Sequence, residues 1–226
     1  YMENFYLYIF VLICFIIAVS YWNTYMSSKY IEQFNSDKQT FVLLGDSILK
    51  NDAYVSDGKS VENLLVERTN DKTICLAIDD SKIVDMYSQV DKIPEDLISN
   101  YTTVFLSAGG NDILTHYVEQ DNDSKDTSIL GTMFAAYKKL IKSIQNKLPN
   151  SNIVLLDIYY PENMTYKQYH SIINDWNQMV YEYASQNGHS VLKVSGVLTQ
   201  PDDFSFGIEP SAIGGRKLVD AILSTY

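Results

Sequence analysis

From Thr40 onward the chain repeats one pattern: a short run of apolar residues, a turn, and then a longer segment with helical spacing. The apolar runs are 41–45 (FVLLG), 73–78 (TICLAI), 103–109 (TVFLSAG), 152–160 (NIVLLDIYY) and 190–195 (SVLKVS). The helical patterns cover 61–68, 81–90, 129–148, 166–186 and 215–224. A strand that is apolar on both of its faces must be covered on both, so this alternation predicts a parallel sheet with helices on each side. The expected fold is α/β: a three-layer α/β/α sandwich around a five-stranded, flavodoxin-like sheet, spanning residues 40–226. Ligands of such sheets bind at the carboxyl ends of the strands. With 226 residues, 46% of them apolar, the chain has enough material for one such domain and an appendage.

The appendage is N-terminal. Residues 5–22 carry no charge, and eighteen residues make about 27 Å of helix, close to the ~30 Å of a bilayer core. Tyr6 and Tyr8 at one end, and Tyr21 and Trp22 at the other, suit the two water interfaces. Residues 1–22 therefore read as a transmembrane helix, a single-pass membrane anchor, with a polar tether over 23–39. The competing reading is a cleaved signal peptide that leaves a secreted domain, with Ala18, Val19 and Ser20 at the cleavage site; Glu3 and the lack of Lys or Arg ahead of the apolar run count against it. A buried core helix would need a polar face, which the segment lacks.

Acidic residues outnumber basic ones by 28 to 17, for a formal charge of -11, which repels phosphate backbones. Nucleic acid is not an expected partner. The two cysteines, Cys14 and Cys75, lie in different segments and suggest no disulfide framework. No Cys and His spacing points to zinc and no Gly-rich loop has the pattern for a nucleotide phosphate, so neither a metal nor a cofactor is implied.

Three loops fall at carboxyl ends or ahead of the last helix: Gly45-Asp46-Ser47, Gly109-Gly110-Asn111-Asp112 and Ile208-Glu209-Pro210-Ser211. The topology predicts that they converge on one edge of the sheet. Ser47 is expected at a helix N-terminus, as a nucleophile or as an N-cap. Asn111 is an amide donor for an oxyanion or an ordinary turn residue.

Together these strings resemble the SGNH, or GDSL, hydrolases, with Gly-Asp-Ser as block I and Gly-x-Asn-Asp as block III. The resemblance implies that Ser47 is the nucleophile and that Ser47, Asn111 and the block II position form the oxyanion hole. Two positions depart from the pattern. Asp80 stands where block II has glycine, which keeps a backbone donor but brings a carboxylate toward a developing negative charge. Phe206 and Glu209 occupy the places of the block V Asp and His. The strings GDSILKNDAYV, LAIDDSKIVD, LSAGGNDILTH and GIEPSAIGG are similar to a divergent branch in which Ile-Glu-Pro-Ser replaces the block V motif and a histidine follows the Asn-Asp pair. That histidine is His116.

Two proton-transfer schemes follow. In the preferred one His116 is the base and Glu209 orients it; in the other Glu209 is itself the base, as in serine-carboxyl peptidases. The expected function is a membrane-tethered serine hydrolase acting on an ester, either an O-acetyl group on a glycan or an acyl chain of a lipid. The rival is a catalytically silent SGNH-fold protein that binds a glycan or a protein through the same cleft.

Overall fold

The computed structural model describes residues 13–27, 39–69, 72–97, 99–119, 127–161 and 163–225. The chain divides into two units at the Gln39–Thr40 junction. In the first, residues 13–27 form a helix, α1, with Phe15, Ile16, Ile17, Tyr21 and Trp22 exposed. Among the described residues no helix is long and apolar enough to cross a membrane. Residues 1–12 of the expected anchor and 28–38 of the expected tether lie outside the described residues.

The second unit holds five strands, β1 (Thr40–Leu44), β2 (Thr73–Cys75), β3 (Thr102–Leu106), β4 (Asn152–Leu156) and β5 (Ser190–Leu192). They are all parallel, in the order β2-β1-β3-β4-β5, which is the expected flavodoxin-like arrangement. Val42 lies opposite Ile74 on one side and Val104 on the other, so the order in which strands are added reverses at β1. The crevice between the ends of β1 and β3 is the topological switch point.

The apolar runs follow from burial on both faces. Val42, Leu44, Val104, Leu106, Ile153 and Leu155 pack under α3 (Tyr87–Asp91), α4 (Gly110–Glu119), α5 (Thr127–Lys147) and α6 (His170–Asn187). Their neighbours in sequence, Phe41, Leu43, Phe105, Val154 and Leu156, pack under α2 (Val61–Arg68), α7 (Val194–Val197) and α8 (Ala212–Leu223). Each such side chain, fully buried, stabilises the fold by roughly 1.5–3 kcal/mol. On α5 the buried residues Leu130, Phe134, Tyr137, Ile141 and Ile144 recur at spacings of three and four, the signature of one face of a helix.

Several elements depart from expectation. Residues 81–82 are irregular, 83–86 are turns, and only Tyr87–Asp91 is helical. The segment after Gly109 is a helix, α4, that the periodicity did not single out. At the other end of the fold, β6 (Phe204–Ser205) and β7 (Glu209–Pro210) make a short antiparallel hairpin between α7 and α8.

Candidate active site

The first loop is built around one glycine. Gly45 has φ +145°, and a Cβ there would sit 2.4 Å from the Ser107 carbonyl oxygen, so no other residue fits without moving β3. Gln89, fully buried, clamps the same residue: it accepts from the Gly45 N–H at 2.8 Å and donates to the Gly45 carbonyl at 2.8 Å. Asp46 and Ser47 are thereby held over the carboxyl edge of the sheet. Ser47 does not stand at a helix N-terminus. The N–H groups of Leu49 and Lys50 both return to the Asp46 carbonyl at 3.1 Å, which closes a single turn and no more. The chain then passes to Asn51 and a 3-10 turn at Asp52–Tyr54.

Asp46 is buried and accepts from the Ser107 hydroxyl at 2.7 Å and from the Ile48 N–H at 3.2 Å. Burial nevertheless pushes its carboxyl up to about 7, against these bonds and with help from the Glu209 charge. Glu209 is 9% exposed. Its pKa is raised, first by burial, while the nearby Ser47 hydroxyl holds it down and the charges of Asp79 and Asp80 push it further up. The buried Oε2 of Glu209 has no hydrogen-bond partner among the described residues.

Long-range hydrogen bonds bring Glu209 to Ser47. Asn51, fully buried, donates to the Pro210 carbonyl at 2.9 Å while its own side-chain oxygen accepts from the Val61 N–H at 2.8 Å. Tyr159, at the end of β4, donates its hydroxyl to the Ile208 carbonyl. Glu209 is thus flanked by two anchored neighbours in the chain. Asn51 serves this scaffold and not the cleft wall.

Asn111 lies in the first turn of α4, half-buried, and spends one amide hydrogen on the Ser81 carbonyl at 3.1 Å. The turn into α4 is close because Gly109, at φ +104°, has the Trp176 ring 2.4 Å from where a Cβ would be. Asp80 adopts φ +58°, a conformation that glycine enters freely and that Asp tolerates. Its N–H donates to Asp79 Oδ1 at 2.9 Å, so the donor expected for the oxyanion hole is already engaged.

Ser47, Asn111 and Glu209 line one cleft, with an empty volume of about 650 Å³, mouth included. Ile113, Ile158, Tyr159, Tyr166, Ile173 and Ile208 give it an apolar wall. Neither His116 nor Asp80 is among its lining residues. Asp157 reaches the cleft but is fully engaged, accepting from the Ser195 N–H at 2.8 Å, the Ser195 hydroxyl at 2.6 Å and the Tyr181 hydroxyl at 2.5 Å. Among the described residues no group of three or more His, Cys, Asp or Glu side chains is arranged to hold a metal ion.

The arrangement has the parts of an acyl-transfer site: a hydroxyl, an adjacent buried carboxylate, and an amide donor across a cleft. Sequence reasoning missed the supports, Gln89, Ser107, Asn51 and Tyr159. They act on backbone or side-chain atoms far away in the chain, and no local spacing marks them.

No curated protein matches the chain. Among solved structures, a lipolytic G-D-S-L family protein from Veillonella parvula superposes with a TM-score of 0.64 at 16% identity, covering 83% of this chain and 98% of that one. The lipase Lip_vut3 from a goat rumen metagenome gives 0.65 at 14% identity, with 82% and 96% covered. Phospholipase A1 from Streptomyces albidoflavus gives 0.62 at 14% identity, with 84% and 100% covered. At these identities the likeness is one of fold. The model of the GDSL-like lipase/acylhydrolase family matches residues 43–217, from β1 through the Ser47, Asn111 and Glu209 loops into α8, and the chain belongs to that family.

Proposed function

We propose that the protein is a serine ester hydrolase in which Ser47 is the nucleophile and Glu209 its base. One observation carries the choice of base: Glu209, not His116, lines the cleft with Ser47, close enough for the Ser47 hydroxyl to hold its pKa down. Ser47 Oγ attacks the ester carbonyl as its proton passes to the Glu209 carboxylate. The oxyanion is held by the Ser47 N–H and by the amide of Asn111. Collapse returns the proton from Glu209 to the leaving alkoxide, and the acyl group stays on Ser47. Water then attacks the acyl-enzyme, Glu209 takes its proton, and the acid is released with Ser47 restored. The apolar wall of the cleft suits the acyl part of the ester, whether an acetyl group on a glycan or a lipid chain.

The silent-binder reading is favoured by one feature, the engagement of the Asp80 N–H by Asp79, which removes a donor from the oxyanion hole. Steady-state hydrolysis of p-nitrophenyl esters separates the readings. Glu209→Gln should lower kcat by roughly 10²- to 10⁴-fold, the usual contribution of a general base, while His116→Ala stays within a few-fold of the parent. The reverse order would make His116 the base. An inactive parent would favour binding.

We also infer that residues 5–22 tether the domain to a membrane, because that stretch is uncharged and of bilayer length. Full-length protein should stay in the membrane pellet after an alkaline carbonate wash and be released when 5–22 are deleted. A full-length protein that washes off would contradict the tether.

A further inference from the structure

A carboxylate of ordinary acidity is a weak acceptor for a serine proton near neutral pH, so a Ser–Glu pair needs help that a histidine base does not. The loop after β2 is placed to give it. Tyr54 donates its hydroxyl to Asp79 Oδ2 at 2.6 Å, and Asp79 Oδ1 accepts from the Asp80 N–H at 2.9 Å. The Tyr54 carbonyl accepts from the Ser205 hydroxyl at 3.5 Å, and Ser205 is the residue that pairs with Glu209 across the β6–β7 hairpin. A continuous set of contacts thus runs from Asp79 through Tyr54 and Ser205 to Glu209. Among the described residues no lysine or arginine forms an ion pair with Asp79, Asp80 or Glu209, so nothing in contact neutralises the negative charge.

We propose that Asp79, tied to the Glu209 hairpin through Tyr54 and Ser205, and the exposed Asp80 that follows it are positioning residues for catalysis, whose negative charges strengthen Glu209 as the acceptor of the Ser47 proton. This rests on the reading of Ser47 and Glu209 as nucleophile and base. The two departures from the family pattern then become one device. At φ +58° glycine would serve the backbone of residue 80 at least as well as Asp, so what Asp80 adds is charge. It adds it in a chain whose base is a carboxylate. The direction agrees with the electrostatics, since both Asp79 and Asp80 raise the Glu209 pKa.

The other titratable groups facing Glu209 do not supply this effect in the same way. Tyr159, at the end of β4, is buried and held neutral, and Tyr54 is kept protonated first by its bond to Asp79 and then by burial. Asp46, on the loop after β1, couples to Glu209 but is itself pushed up to about 7 by burial, so it carries a full charge only above neutrality.

The test reads Glu209 directly. The carboxyl carbon of ¹³C-labelled glutamate is titrated by NMR in the intact protein, with Glu209→Gln giving the assignment. Asp79→Asn and Asp80→Asn should each lower the Glu209 midpoint, Asp79→Asn by more, and the double variant should lower it further. Asparagine keeps the left-handed turn at position 80 and an acceptor at 79, so both variants are compatible with the fold. If the Glu209 midpoint stays within error of the parent in the double variant, the proposal is overturned. The acid limb of kcat/KM should move to lower pH by the same amount. The limb position is the readout because plateau height also responds to removal of a carboxylate near the oxyanion. A midpoint that moves in a protein that never acylates Ser47 would overturn the hydrolase reading and leave the electrostatic effect standing.

Discussion

Asp46 illustrates at the scale of one residue how the site is held together against its own charge. Its carboxyl has a reference pKa of 3.8 and is pushed up to about 7 in the folded protein, chiefly by burial. A carboxyl raised in this way favours the fold while protonated. Its contribution is complete below pH 3.8 and is lost as pH rises toward 7, over a range worth on the order of 4 kcal/mol. Asp46→Asn carries no such penalty. In urea denaturation from pH 4 to 7, the parent should therefore lose stability relative to Asp46→Asn as pH rises; parallel curves would show that Asp46 is not buried as described. The carboxylate is retained where it fixes the Ser47 turn through Ser107 and Ile48, a local cost of the kind common at active sites. Ser47, Asn111 and Glu209 were legible in the sequence because each sits in a short string at a loop. Gln89 and Asn51 were not, because their partners, Gly45 and Pro210, are distant and the contacts are to backbone atoms.

At the scale of elements, the strands were legible for a physical reason: Val42 and Leu43 face opposite helical layers and both must be apolar. Strand ends were less so. The run 73–78 is apolar throughout, but β2 is an edge strand whose ladder pairing ends at Cys75, and single bonds from Leu76 and Ile78 to Leu43 and Gly45 continue alongside it. Helix α4 was hidden because Gly109 and Gly110 read as a turn, whereas Gly110 starts the helix. The segment 81–86 has the composition of a helix yet runs irregularly into a turn at 83–86, which leaves Ser81 facing Gln89 and Asn111. The β6–β7 hairpin is too short for periodicity to reveal. It is nonetheless the element that carries Glu209 to the cleft lined by Ser47.

At the scale of the whole domain, the reversal of strand order around β1 creates the crevice, and the loops after β1 and β3 supply Ser47 and Asn111 to its rim. The third contributor comes from beyond β5, folded back over the sheet edge and tied there by Asn51 and Tyr159. We propose that Ser47 is a nucleophile activated by Glu209. This proposal is tested most directly by the rate at which a fluorophosphonate probe labels the purified protein between pH 5 and 8. Covalent labelling is expected at Ser47, none in Ser47→Ala, and labelling slowed by roughly 10²-fold or more in Glu209→Gln. Labelling that is absent from the parent, or equally fast in Glu209→Gln, would contradict it.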